Sequence, residues 1–305
     1  MPKLPCLLAS MSVAAGLLPA VPAMAADLID DTPRLAVISA FPPELAVLSA
    51  AAADAETHSV HGVAFTTGML EGRPVVLFLS GVSMVNAAMT TQLALDHFAV
   101  EGIVFSGIAG GVDPALHIGD VVVAGQWGQY LEVVMARETA DGWATPPFFE
   151  YTFANYGMIH PRAVDVVRSA GAETRFWFEA DPAMLAAAAA IAPQVDLADC
   201  TADNVCLSHD PRIVVGGNGV SGGAFVDNAD FRAYVFDTFS ASVLDMESAA
   251  VAHVAFANDV PFVAIRSLSD LAGGGEGANE MGTFFQLAAD NSATAVRALI
   301  AALPQ

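Results

Sequence analysis

Positively charged residues are scarce in this chain of 305 residues, which has 11 Lys and Arg against 33 Asp and Glu. The formal net charge is −22 at pH 7, and Lys3 is the only lysine. A surface this negative repels the phosphate groups of nucleic acids and of anionic lipids, so neither nucleic acid nor a membrane is an expected partner. It also disfavours polyanionic substrates, because phosphate sites usually recruit arginine or lysine.

Cysteine is also rare, and after the N-terminal region only Cys200 and Cys206 remain. A pair this close in sequence typically forms a local disulfide in an oxidising compartment, although two free thiols are the alternative. The seven histidines show no metal-ligand spacing. The nearest pair, His58 and His61, has no third ligand close by in the sequence and is interpreted as surface. We therefore expect neither a metal nor a cofactor.

The first 25 residues have the features of a cleaved signal peptide. Lys3 gives a positive start, residues 6–21 are almost wholly apolar, and Ala23-Met24-Ala25 is a small-residue cleavage pattern. We expect cleavage after Ala25 and export, most simply into a bacterial periplasm. Nothing later in the sequence is long enough and apolar enough to suggest a membrane-spanning helix.

Alternating strand-like and helix-like segments predict one α/β domain over residues 26–305, with a mostly parallel mixed central sheet between two helical layers. Residues from about 125 to 210 fit this pattern poorly and are interpreted as an insertion, a candidate lid or subunit contact. The clearest predicted elements are strands at 34–40, 62–70, 74–80, 102–106, 120–124 and 262–268, and helices at 83–100, 182–191 and 280–303. The helix at 83–100 is expected to bury Met84, Ala88, Leu95 and Phe98, with Val85 and Met89 beside them.

Two acidic residues flank the last predicted strand–helix unit, at 242–272. Glu247 precedes a helix, and Asp270 follows a buried strand. Ligands of open α/β sheets bind outside the carboxyl ends of the strands, so both residues are expected on the same rim. Each also has an ordinary structural explanation, since an acidic residue favours a helix N-terminus and an aspartate commonly forms a turn.

Four segments, taken together, resemble the nucleoside phosphorylase/nucleosidase superfamily, and most closely its methylthioadenosine/S-adenosylhomocysteine nucleosidase branch. They are ISAFPPEL at 38–45, SGIAGGVDPALHIGDVVV at 106–123, SGGAFVDN at 221–228 and LDMESAAVAHVAFANDVPFVAIRSLSD at 244–270. The last segment is the most specific. The resemblance covers most of the chain outside the insertion and implies a purine nucleoside as the substrate and a homodimer as the assembly.

The resemblance also implies roles for particular residues. Asp270 matches the acid that protonates N7 of the purine, and Glu44 matches the base that activates the attacking water. Glu247 and Met246 match residues that contact the ribose, whereas Phe225 and Val226 match residues that stack on the base and read its edge. Apart from the resemblance, Ser269, with Ser267 and Arg266, is a candidate to orient Asp270, although an arginine this near can also be only a structural ion-pair partner.

This chain departs from the branch around the expected 5′ end of the substrate. Ile108 stands where serine is usual, and Phe41 replaces a methionine. The phenylalanine that a partner subunit would supply has no secure match, and Phe284 is the nearest candidate. These differences leave the 5′ substituent undetermined by the sequence.

This set of residue types fits hydrolysis of an N-glycosidic bond. A purine leaves poorly as an anion, so a protonated carboxyl group at N7 neutralises it as the bond breaks. The sugar becomes oxocarbenium-like, and nearby carboxylates stabilise that charge. Water then needs a base on the opposite face, as in inverting glycoside hydrolysis. Asp270 must therefore stay protonated while Glu44 is ionised.

Two alternatives remain at this point. A phosphorylase of the superfamily holds phosphate with arginines, one of which precedes the glycine-rich segment, but residues 104–106 here contain no cation. A non-catalytic, exported nucleoside-binding protein on the same scaffold would not need a water-activating base such as Glu44.

Overall fold

Residues 28–304 are described by a computed structural model, and the signal-peptide prediction for residues 1–25 lies outside this range. Within the described range, no helix combines the length and apolar character needed to cross a membrane. The helices are α1 (Pro42–Ala51), α2 (Met84–His97), α3 (Pro182–Ile191), α4 (Ala229–Phe239), α5 (Ser248–Ala257) and α6 (Met281–Ala302). The strands are β1 (Asp30–Ser39), β2 (Ala53–Val60), β3 (Val63–Leu70), β4 (Arg73–Leu79), β5 (Phe98–Gly111), β6 (Val121–Val123), β7 (Gln126–Gln129), β8 (Val133–Met135), β9 (Arg137–Thr139), β10 (Gly142–Ala144), β11 (Ile159–Pro161), β12 (Val164–Arg168), β13 (Gly171–Arg175), β14 (Trp177–Glu179), β15 (Ile213–Val215), β16 (Asn218–Ser221), β17 (Ala241–Asp245) and β18 (Phe262–Asp270).

A central sheet of 12 strands, in the order β14-β7-β16-β17-β5-β1-β4-β3-β2, organises the fold, with β18, β6 and β15 joined beside β5. The strands at its centre pair in parallel, β1 with β4 and β5, and β5 with β18. Antiparallel pairs occur at β2–β3–β4 and where the end of β5 meets β17. The sheet is therefore mixed, as the sequence predicts.

Apolar side chains fill both faces of the sheet. One face packs against α1, α3 and α6, through residues such as Leu48, Met184 and Leu299. The other packs against α2 and α5, through residues such as Ala94 and Val251. The predicted three-layer α/β/α class is confirmed, because strands covered on both sides are uniformly apolar and require helices on each face.

The segment 107–111 is not a turn. It continues β5 to Gly111, where the strand pairs with both β17 and β18. A side chain at Gly111 would lie 2.9 Å from Leu268, and one at Gly110 would lie 3.3 Å from Asp270, so glycine permits close strand packing there. Pairing on two sides holds the glycine-rich segment extended in spite of its low strand propensity.

The predicted insertion is less separate from the sheet than its sequence pattern indicates. Its strands β7 and β14 pair with each other and extend the central sheet beside β16. Outside that sheet it forms three two-stranded sheets and α3, whose observed bounds equal those predicted. Asp181 caps α3 by accepting hydrogen bonds from the N–H groups of Ala183 and Met184, each at 2.9 Å.

The prediction for the apolar face of α2 was wrong in part. Phe98 is buried, and Met84, Ala88 and Leu95 pack against the core as predicted. Val85 and Met89, however, are 79% and 59% exposed. Periodicity marks an apolar stripe but does not say whether the stripe faces the protein's own core, so two of the predicted core residues lie on the surface. Cys200 and Cys206 are bridged by a disulfide.

Candidate active site

One cavity collects residues from the start of α1, from β5, β17 and β18, and from the segment around Phe225. It contains about 720 Å³ of space free of protein atoms, including its open mouth. Every residue that the sequence predicts for catalysis or substrate binding lines it, namely Asp270, Glu44, Glu247, Met246, Phe225, Val226, Ile108, Phe41 and Ser269. Sequence positions more than 200 residues apart are thus brought to one rim of the sheet, at the carboxyl ends of the strands.

Glu44 is held by backbone donors. It lies in the first turn of α1 and is only 1% exposed. Its Oε2 accepts hydrogen bonds from the N–H groups of Ala40 at 2.8 Å and Phe41 at 3.3 Å. Its Oε1 accepts one from the N–H of Ile108 at 2.9 Å, which links the helix start to β5. Ile108 therefore contributes its backbone N–H to the site.

Arg266 occupies the centre of a buried group of acidic residues. Its Nε lies 2.8 Å from Asp245 Oδ2, and its Nη2 lies 3.5 Å from Glu247 Oε2. The guanidinium also stacks on the Phe105 ring, 4.0 Å from the centroid. Glu247 accepts a further hydrogen bond from the N–H of Ser83, at 2.8 Å. The expectation that Arg266 orients Asp270 was therefore wrong, because its side chain points to the opposite group of carboxylates.

Asp270 ends β18 and is 4% exposed. Its Oδ1 accepts from the N–H of Ala272 at 2.8 Å, and its Oδ2 accepts from Ser269 Oγ at 3.0 Å. Of the three residues proposed to orient Asp270, only Ser269 contacts it, since Ser267 Oγ donates instead to the carbonyl of Gly119 at 3.4 Å. Asn279, in the loop between β18 and α6, places its Nδ2 3.5 Å from Asp270 Oδ1.

The environments of the two candidate catalytic carboxyl groups differ in charge. Burial raises the pKa of both Glu44 and Asp270. For Glu44, the nearby cation Arg266 and three backbone N–H groups oppose that shift and favour the ionised form. For Asp270, hydrogen bonds from Ala272, Ser269 and Asn279 also oppose the shift. The neighbouring anion Asp227 adds to it and favours the protonated form. The two sites thus differ in the sign of the neighbouring charge, a cation for Glu44 and an anion for Asp270, which is the sign that a base at Glu44 and an acid at Asp270 require.

Glu247 is the third buried carboxyl group. Burial raises its pKa to about 7, with Asp245 and Glu44 acting in the same direction and Arg266 against it. One arginine thus serves several acidic side chains that share a small volume, and the protons in this group are distributed by the whole cluster.

Aromatic residues give the cavity an apolar wall. Phe225 lines it and is 57% exposed, so its ring is free to contact a ligand. Phe41 also lines it and packs on Phe285, with ring centroids 5.1 Å apart. Phe284 is 7% exposed and packs with Ile118 in its own chain, so it is not available to a partner subunit as the sequence comparison suggested.

Two residues of the site were missed by the sequence reasoning. Asp245 lines the cavity, and it binds Arg266 and the hydroxyl of Ser248 through Oδ2. Its place in LDMES, two residues before Glu247, was the available signal. Gly107 lies beside Arg266 and Glu44, where a side chain would overlap Arg266 Nη1 and lie 2.7 Å from Glu44 Oε1.

Comparisons with known proteins agree with this arrangement. Residues 34–301 match the family model of the phosphorylase superfamily. A 5′-methylthioadenosine/S-adenosylhomocysteine nucleosidase of Bacillus cereus (strain G9842) is 32% identical over 242 residues, which are 79% of this chain and 87% of that protein.

Solved structures give the same result. The nucleosidase of this name from Neisseria meningitidis, in complex with methylthio-immucillin-A, aligns with a TM-score of 0.66 and 25% identity over 88% of this chain and 99% of its own. The one from Colwellia psychrerythraea 34H, in complex with adenine, aligns with a TM-score of 0.66 and 28% identity over 88% and 95% of the two chains.

The central sheet with helices on both faces, and the cavity at the carboxyl ends of its strands, define a nucleoside phosphorylase-like α/β fold. With a family match over residues 34–301, the chain belongs to the phosphorylase superfamily. The relative and the two solved structures described above are all 5′-methylthioadenosine/S-adenosylhomocysteine nucleosidases.

Replacing Gly107 by alanine tests the packing of the buried charged cluster. The new methyl group would overlap Arg266 Nη1, so we expect the free energy of unfolding to fall by about 1–3 kcal/mol, as in other overpacked interiors. Denaturant unfolding of Gly107→Ala measures this, with Gly277→Ala as the control because a methyl group there meets nothing within 4 Å. Equal stability of the two variants would contradict the prediction.

Proposed function

We propose that this protein is a purine nucleosidase, an N-ribosyl hydrolase that cleaves the bond between purine and ribose with water. The observation that carries the proposal is the convergence of Glu44, Glu247 and Asp270 on one cavity that also exposes the ring of Phe225. A nucleoside-binding protein would need the aromatic ring and one carboxylate for the ribose, but not a second buried acid and a buried base. The nucleosidase names of the relatives support the same activity.

Asp270 is the proposed general acid. Its burial and its neighbour Asp227 raise its pKa and favour the protonated form, which can donate a proton to N7 of the purine as the glycosidic bond breaks. Ser269 Oγ, 3.0 Å from Oδ2, fixes the carboxyl group. The face of the Phe225 ring offers a stacking surface for the base, and the backbone of Val226 beside it offers polar groups for the base edge.

Glu44 is the proposed general base. Three backbone N–H groups and Arg266 favour its ionised form, so it can accept a proton from the attacking water. Glu247, with Met246 beside it, is positioned to contact the ribose. The negative charge of these carboxylates stabilises the oxocarbenium-like sugar, which is positive only in the transition state.

Water fits the site better than phosphate as the attacking group. Among the described residues that line the cavity, none is arginine or lysine. Arg266, the nearest cation, is 1% exposed and already paired with Asp245 and Glu247. A phosphate dianion would meet carboxylates without a free cation to balance them, which costs free energy.

The decisive experiment incubates the purified protein with methylthioadenosine, adenosine and inosine, each with and without inorganic phosphate, and measures release of the base. We expect release without phosphate and a free sugar as the second product. Release that depends on phosphate would identify a phosphorylase, and saturable binding without release would identify a binding protein. The relative rates also report which 5′ group the cavity accepts.

Substitution of the two proposed catalytic residues separates their roles. Asp270→Asn is expected to abolish detectable base release while largely retaining binding, because the amide cannot supply the proton. Glu44→Gln is expected to lower kcat by about 10²–10⁴-fold, the usual loss when a general base is removed. Glu71→Gln, in the exposed turn between β3 and β4, is the control. Wild-type rates in both cavity variants would show that the assignment is wrong.

We further propose that the protein is a homodimer through the exposed side of α2. Val82, Val85 and Met89 are 45%, 79% and 59% exposed and form an apolar strip on and just before this helix. Val82 also lines the mouth of the cavity, so the strip is continuous with the site. A second copy of the chain would cover this strip and bring its own residues close to the cavity mouth.

Sedimentation velocity tests the dimer. Val85→Glu places a charge in the proposed interface, and we expect the dimer to dissociate, because an unpaired buried carboxylate opposes association. Val167→Glu is the matched control, since Val167 is 78% exposed on β12. A wild-type monomer, or a Val85→Glu protein that sediments as the wild type does, would contradict this assembly.

Export remains a proposal from the sequence, with the disulfide between Cys200 and Cys206 as its support. Expression of the full chain in a Gram-negative host, followed by fractionation and intact-mass measurement, tests it. We expect a periplasmic protein that begins at Ala26. A cytoplasmic protein that retains Lys3 would contradict it.

A further inference from the structure

Two histidines and an aspartate form a cluster outside the nucleoside cavity. His117 and Asp120 lie in the segment between β5 and β6, and His209 lies just before β15. One ligand atom of each lies within 4.8 Å of the other two. The rings of His117 and His209 are 4.3 Å apart between centroids. Because 92 positions separate these histidines, sequence spacing could not reveal the cluster.

Asp120 is the fixed member of the cluster and is 1% exposed. Its Oδ2 accepts from the N–H of His117, and its Oδ1 accepts from the N–H of Arg212, each at 3.0 Å. Among the salt bridges of residues 28–304, this carboxylate takes part only in the one with His117, at 3.9 Å. A buried carboxylate with so little positive charge around it favours a cation.

His209 carries the second, independent observation. Neither ring nitrogen is exposed, and neither has a hydrogen-bond partner within residues 28–304. Leaving two polar atoms buried and unpaired costs free energy, so a native structure with such a group calls for a ligand or an ordered water. His209 lines a pocket separate from the nucleoside cavity, together with His117, Ser208 and Glu280.

From this geometry we infer a binding site for one divalent transition-metal ion, with His117, His209 and Asp120 as its protein ligands. Metal–nitrogen and metal–oxygen distances of about 2.0–2.2 Å allow two ligands of one Zn²⁺ to lie no more than about 4.2 Å apart. The ligand atoms lie within 4.8 Å of one another, so a small rotation of a side chain brings them to that separation. The His117 side chain is 55% exposed and is free to rotate.

The ligand chemistry selects the class of metal. Two imidazoles and one carboxylate suit Zn²⁺, Ni²⁺ or Cu²⁺, whereas Mg²⁺ and Ca²⁺ prefer oxygen ligands. Three protein ligands leave a further position that water can occupy. The net charge of −22 also raises the local concentration of cations around the whole protein.

A bound metal would join the segment between β5 and β6 to the segment before β15, in which the disulfide between Cys200 and Cys206 already closes a short loop. Cys206, Leu207 and His209 line the same pocket as Leu271, the residue after Asp270. Leu207 and Leu271 also pack against the same apolar cluster. The site would therefore brace the outer side of the segment that follows the proposed acid. Its existence does not depend on the proposed activity, since none of its three ligands lines the nucleoside cavity.

Isothermal titration calorimetry of the untagged protein with Zn²⁺, in excess Mg²⁺ to suppress weak carboxylate sites, tests the inference. We expect one equivalent of Zn²⁺ to bind and the Tm to rise by about 5 °C at 100 times Kd. His117→Gln and His209→Gln should each weaken binding by at least about tenfold, since even supporting residues of metal sites have effects of that size. His97→Gln, which changes a histidine of α2, should bind as the wild type does.

Failure of the wild-type protein to take up one equivalent of Zn²⁺ would overturn the inference, and so would unchanged binding in both ligand variants. Loss of binding in His97→Gln as well would overturn it, because the affinity would then not come from this cluster. Far-UV circular dichroism and base release verify that each variant is folded. His117→Gln is the more informative variant, because His117 is largely exposed and its replacement leaves the interior unchanged.

Discussion

The ion pairs of Arg266 hold this site together. A guanidinium that is 1% exposed is tolerated only because Asp245 and Glu247 lie within ion-pair distance and Phe105 covers its face. The converse also holds, since the acidic side chains could not share so small and dry a volume without a cation. Removal of any one of the three charged residues would leave an uncompensated charge in the interior, so the cluster fixes the relation between β17, β18 and the start of α5.

This constraint explains how an acidic protein can bind a substrate with little charge. Arg266 is paired with Asp245 and Glu247. No arginine or lysine among residues 28–304 lines the cavity, so its wall is mostly apolar with a few oxygen atoms. Phe41 and Phe225 supply much of that wall. A neutral nucleoside satisfies such a surface through stacking and hydrogen bonds, and it needs no counter-charge.

The fold and most of the site were accessible from the sequence because both follow local rules. Apolar strands with helices between them define the layers. Glu247 and Asp270 could be predicted because a helix starts at one and a strand ends at the other. The ion-pair partners of Arg266 could not be predicted from the sequence. A strand buried on both faces gives no indication of which way a charged residue on it points, and only the observed packing shows that Arg266 turns away from Asp270.

Other errors have similar physical causes. Val85 and Met89 are as apolar as core residues, and hydrophobicity alone does not distinguish a core from an interface. The extension of β5 through its glycines depends on pairing with β17 and β18, which are distant in the chain. His117 and His209 come together for the same reason, through the packing of loops that local patterns do not relate.

The peptide groups at positions 108 and 109 of β5 join both halves of the active site. The N–H of Ile108 donates to Glu44, its carbonyl accepts from Arg266 at 3.4 Å, and the carbonyl of Ala109 accepts from Ser269 at 3.4 Å. All three contacts use main-chain atoms. A different side chain at position 108 can therefore reshape the wall of the cavity while the main-chain contacts to Glu44 and Arg266 stay in place.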